Sequence, residues 1–196
     1  MATIEARPIN TYTKDQGDIF DNSYYDTAIL AANQLNYNMF QTPLSNTVNK
    51  GVTNMTDAGQ LSNGKQFQVQ QVGVRFTYRA STIAVNTGDS LADLFSTFCK
   101  ALITFNVVGK QDLGQWPGAE FLGVTSLAVQ DATTLFNTTG VNNLIPAWKR
   151  LRYPINLNEL VKFGVNLSFS GITAIPINAV DFAVQIILRG IEQRRK

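Results

Sequence analysis

Residues 66–80 read QFQVQQVGVRFTYRA, and the apolar rhythm in them slips halfway. Phe67 and Val69 keep one phase of a two-residue repeat, while Val72, Val74, Phe76 and Tyr78 keep the other. Successive side chains of a strand point to opposite faces, so a slip of one residue exchanges inside and outside. The pair Gln70-Gln71 lies at the slip. One extra residue in a strand, a β-bulge, leaves this signature, and Gly73 would ease the bend beside it. The run also reads as a strand buried on both faces, with no preferred side.

Downstream, the period changes twice within residues 81–110, STIAVNTGDSLADLFSTFCKALITFNVVGK. Ser90 and Asp93 have capping-box spacing, and Leu91, Leu94, Phe95 and Phe98 recur at helical spacing. After Cys99 the period becomes two, with Ala101, Ile103, Phe105 and Val107 on one side. This predicts a short helix in a crossover that feeds a strand. AEFLGVTSLAV (119–129) and TTLFN (133–137) read as short strands, and AWKRLRYP (147–154) as a mixed segment ended by Pro154. Two strong strands close the chain. Val161, Phe163, Val165, Leu167 and Phe169 alternate with polar residues; so do Val180, Phe182, Val184, Ile186 and Leu188, less strictly.

Residues 1–65 differ. They are rich in Asn, Gln, Thr, Asp and Gly, and 49–65 is turn chemistry throughout. Within 25–40, YDTAILAANQLNYNMF, a short helix and a strand are equally compatible with the spacing. The expected organisation is a polar N-terminal arm with loops over 1–65 and a β-sandwich domain over 66–196. Residues 1–15 lack any apolar period and are expected to add little to the core, becoming ordered against neighbouring subunits. Seven or eight strands, mostly with one apolar and one polar face, indicate an all-β antiparallel sandwich. Jelly-roll topology ranks ahead of an immunoglobulin-like one, because a single cysteine excludes the Cys-Trp-Cys core.

The 196 residues suit one domain with a substantial core. Charged residues are only 15% of the chain, well below the usual quarter, so solubility rests on neutral polar groups. Such a surface suits a chain that buries much of itself against neighbours, and it equally suits a neutral monomer. A net charge of +2 is too small to mark the whole domain as nucleic-acid binding. The opening MATIEARPINTY has no apolar run of the signal-peptide kind, and no stretch is apolar enough for a membrane-spanning helix.

The chain contains no histidine, which removes Ser-His-Asp and Cys-His catalysis and most transition-metal sites. Cys99, flanked by Phe98, Ala101 and Leu102, is expected to be a buried, inert thiol. The remaining enzymatic option is a carboxylate pair; only Asp181 and Glu159 lie in or beside strong strands. DQGDIFD (15–21) resembles a calcium loop in composition alone. No catalytic role, cofactor or metal is expected.

The C-terminal RGIEQRRK gathers Arg189, Arg194, Arg195 and Lys196 around one acid, Glu192. These cations either form a solvated end or a short basic patch in weak contact with a polyanion, nucleic acid or anionic lipid. Considered together with the strand pattern of 67–80, 102–110 and 153–190, the chain resembles jelly-roll coat proteins of tailless or small bacteriophages. That resemblance implies a virion subunit that binds copies of itself, and other virion proteins, to form a shell. A receptor- or carbohydrate-binding sandwich is the alternative, with Trp116 and Trp148 as candidate contact residues or as ordinary packing tryptophans. An enzyme with carboxylate chemistry ranks third.

Overall fold

The computed structural model describes residues 17–45, 51–78, 96–121, 148–175 and 182–194. Eight strands are present in these segments: β1 (Asp18–Ile29), β2 (Asn36–Met39), β3 (Lys65–Tyr78), β4 (Ala101–Val107), β5 (Lys110–Pro117), β6 (Trp148–Leu157), β7 (Phe163–Phe169) and β8 (Phe182–Arg194). They form two four-stranded antiparallel sheets, in the orders β1-β8-β3-β6 and β2-β7-β4-β5. The first is called here sheet A and the second sheet B.

The pairs β1·β8, β2·β7, β3·β6 and β4·β5 nest inside one another along the chain. Such nesting describes a single antiparallel ribbon with β4 and β5 at its closed end. Successive pairs of the ribbon fall alternately in sheet A and sheet B, and β3·β8 and β4·β7 join neighbouring pairs within each sheet.

The core lies between the sheets. On β7, Phe163, Val165, Leu167 and Phe169 are buried while Gly164, Asn166 and Ser168 are half-buried on the other face. On β8, Val184, Ile186 and Leu188 are fully buried and Gln185 is not, as the alternation predicts. Aromatic rings fill the space between: Tyr24 packs edge-on to Phe67 at 5.0 Å, and Phe105 stacks on Phe163 at 6.2 Å.

The slip in 66–80 is a bulge. Val69 pairs with Gly190 of β8 and Gln71 with Arg189, so Gln70 is extra. Phe67, Val69, Vals 72 and 74 consequently all face the core. The bulge brings the β3 backbone so close to β8 that a Cβ on Gly190 would lie 1.8 Å from the Gln68 carbonyl oxygen. Gly73 has a different role from the bend expected of it. Its missing side chain makes room for the Trp148 ring, which a Cβ would meet at 2.7 Å.

Three expectations need correction. Residues 18–29, expected within an arm and loops that held at most one or two short elements, are a 12-residue strand along β8. They escaped the alternation test because β1 turns Tyr24, Asp26 and Ala28 inward, and only Ala28 is plainly apolar. The mixed segment does not stop at Pro154; its described residues 148–154 belong to β6, where proline is tolerated at a sheet edge. Cys99 is exposed rather than buried, because it follows the buried Phe98 in a turn and points away. The expected crossover helix is represented by helical Ser96–Phe98, its earlier residues lying outside the described segments. The arm residues 1–15, most of 119–129 and all of 133–137 also lie outside them.

The free edge of β1 is covered over residues 23–27. Asn54 accepts from the Tyr25 N–H (2.8 Å) and donates to the Ser23 carbonyl (2.8 Å), and the Thr27 hydroxyl donates to Val52. Over that stretch the edge cannot recruit a stray strand.

Candidate functional site

The C-terminal strand carries the cations singled out in the sequence, and strand geometry separates them. Arg189 is exposed on the outer face of sheet A, with its guanidinium 4.5 Å from the centre of the Trp148 ring. Arg194, of opposite parity on β8, is exposed beyond the core edge and lies over Phe20 at 4.6 Å. Arg195 and Lys196 lie outside the described residues.

Arg194 is also ion-paired. Its Nε donates to Glu192 Oε1 at 2.6 Å, and the Glu192 side chain is fully buried. Glu192 Oε2 accepts from the Tyr24 hydroxyl at 2.6 Å and from the Asn22 amide. Burial alone would raise this carboxyl, but hydrogen bonds from Tyr24, Arg194 and Asn22, with the Arg194 charge, hold it below its ordinary value. Burial and the hydrogen bond to Glu192 push the Tyr24 phenol well up, so it remains a donor. A second buried carboxylate, Asp26, accepts from the N–H groups of Phe40 and Thr27, linking β1 to the end of β2. Here burial dominates and the carboxyl is raised despite those bonds. Both groups are structural stitches. The sequence offered Glu192 only as one acid diluting a basic end, since two of its three partners, Tyr24 and Asn22, lie about 170 residues away.

A second feature was not visible in the sequence. Opposite the β3 bulge, β6 pairs through Ile155 with Val69 and then through Arg150 with Gln71. Leu151–Pro154 therefore loop out against the single residue Gln70. The two irregularities open a recess of about 580 Å³ lined by Gln70, Gln71, Arg150, Leu151, Arg152 and Pro154. A larger shallow concavity, about 820 Å³, lies on sheet B and includes Asn38, Gln41, Asn106, Lys162 and Asn166. Asn166 donates to Asn38 there at 2.8 Å.

The remaining candidates are accounted for by packing. Trp116 is buried against Phe121, and Trp148 is half-buried between the Gly73 backbone and Arg189. Glu159 accepts from the Gly64 N–H at 2.6 Å, fixing a turn, while Asp181 lies outside the described residues. Among the described residues no group of three metal-ligating side chains converges, and no helix is long and apolar enough to cross a membrane.

No family model matches the chain, and no curated protein or solved structure matches it either.

Proposed function

We propose that this chain is a self-assembling structural subunit of a virus particle, a bacteriophage coat protein with jelly-roll topology, located in the virion. The observation that carries the reading is the strand order. Nested pairs 1·8, 2·7, 3·6 and 4·5, dealt alternately to two four-stranded sheets, are what rolling one long ribbon into a jelly roll produces, and capsid subunits are among its users. Low surface charge supports the same reading, because faces can meet without stripping water from many ions. So do the exposed apolar tips Val108 (70% exposed) and Leu160 (58%). They sit in neighbouring turns at one end of the sandwich, where the Val108 N–H donates to the Lys162 carbonyl at 2.9 Å. Its partners are copies of itself and other virion proteins. Sedimentation velocity over a range of concentrations tests this: a large discrete species supports it, and a persistent monomer opposes it.

The amide-lined concavity of sheet B favours a second reading, a receptor- or carbohydrate-binding module, since Asn38, Gln41, Asn106 and Asn166 supply the paired donors and acceptors that sugar hydroxyls use. The tryptophans expected to serve it are engaged in packing. Binding of a monomeric protein to a glycan array would favour this reading.

A further inference from the structure

We infer that the recess at the paired bulge of β3 and β6 binds the sugar-phosphate backbone of a single-stranded nucleic acid. This does not depend on shell formation. Arg150 and Arg152 line the recess, and Arg189 flanks it, since Gln71 pairs with Arg150 on one side and Arg189 on the other. All three are exposed, and none is ion-paired among the described residues, whereas Lys149 and Arg194 both are. Arg150 and Arg152 share β6, and Arg189 lies on β8 across the single strand β3; like charges gathered on one face repel, so such a cluster is stabilised by an anion between them. Guanidinium forks match phosphate oxygens, and the Gln70 and Gln71 amides add neutral donors without any carboxylate in the lining.

The aromatic component selects the class of polyanion. Tyr153 falls in the looped-out segment between the lining residues Arg152 and Pro154, and the residue is 62% exposed, with Arg152 5.7 Å from its ring centre. An exposed ring beside phosphate-binding cations is a platform for an unstacked base. A duplex keeps its bases stacked inside and would leave Tyr153 unused. An anionic membrane would call for a broad cationic plane, not a recess with a ring at its margin. The C-terminal tail is therefore secondary: of its described arginines, Arg189 belongs to this site and Arg194 is committed to Glu192.

The test is fluorescence polarisation of a labelled oligothymidylate with the full chain at several salt concentrations, with a duplex and phosphatidylserine vesicles as comparison probes. R150Q/R152Q should weaken single-strand binding about tenfold or more at low salt, and flatten the log–log salt slope by roughly 1.4. Y153A should weaken it about fivefold with the slope unchanged, because stacking releases no counterion. K162Q, at the sheet B concavity, should bind as wild type does. Crosslinking of a bromouridine-substituted strand to the wild-type protein should label residues 148–157, which needs no variant to fold. Unchanged affinity and slope in R150Q/R152Q, or crosslinks confined to other segments, would overturn the inference. Equal binding of vesicles and oligothymidylate with Y153A silent would overturn the choice of nucleic acid.

Discussion

Tyr24 donates its hydroxyl to Glu192 across 2.6 Å, joining the first strand to the last through their side chains as well as their backbones. The bond matters because Glu192 is a fully buried carboxylate, and a buried charge is tolerated only with its lone pairs satisfied. Tyr24→Phe should lower stability by about 1.5–3 kcal/mol, the range for a hydrogen bond to a charged group. Chemical denaturation at neutral pH measures this. Arg194→Gln should also be destabilising, in contrast to the silence expected of a solvated tail residue.

The same pair sets a pH dependence whose sign is fixed. Glu192 is held below its ordinary value in the folded protein, so its contribution is present above the unfolded carboxyl pKa, about 4.3, and fades as pH falls. Asp26 is raised, so it acts oppositely: its contribution is full below the unfolded value and is lost as pH rises through the folded one. The stability difference between wild type and Glu192→Gln should therefore shrink on acidification below about pH 4.3. A difference that is flat across the acid range would remove Glu192 from the account.

Gly190→Ala tests the bulge. The added methyl meets the Gln68 carbonyl carbon and oxygen, backbone atoms that cannot rotate away. A loss of about 3 kcal/mol, the upper end of overpacking costs, is expected in denaturant melts. A neutral substitution would mean that β3 and β8 are not packed as described.

Leu167 and Asn166 are adjacent on β7 yet face opposite ways. Leu167→Asp should unfold the protein, since an unpaired buried charge costs several kcal/mol of a small total. Asn166→Asp should leave a folded chain, because its side chain is partly exposed on the outer face. Circular dichroism of the two variants checks the pair.

How much of this was readable in the sequence depended on where each strand sits. β7 and β8 are internal, apolar on their core face and easily recognised, and the slip at Gln70-Gln71 disclosed the bulge before its partner was known. The edge strands were obscure for a physical reason. β1 satisfies the inward Asp26 with backbone groups of Phe40 and Thr27, and β6 interrupts its own alternation at Leu151–Pro154. Tertiary pairing decides both. Of the four C-terminal cations, the two described, Arg189 and Arg194, lie five residues apart and have opposite parity on β8, while Arg195 and Lys196 lie outside the described residues. Arg150 and Arg152 reach Arg189 only through the register of β6, β3 and β8.

The exposed turns bear on assembly. Val108→Asp with Leu160→Asp should leave the melting temperature within a few degrees of wild type, as both side chains project from the sandwich. The double variant should sediment as a smaller species than the wild-type protein. Unaltered assembly would move the subunit contacts elsewhere.

The central claim, that this sandwich is a shell subunit, is tested most directly by electron microscopy of the purified, concentrated protein. The account predicts closed shells or regular curved lattices built from the 196-residue chain. A field of isolated monomers at every concentration, in a protein that is folded by circular dichroism, would contradict it.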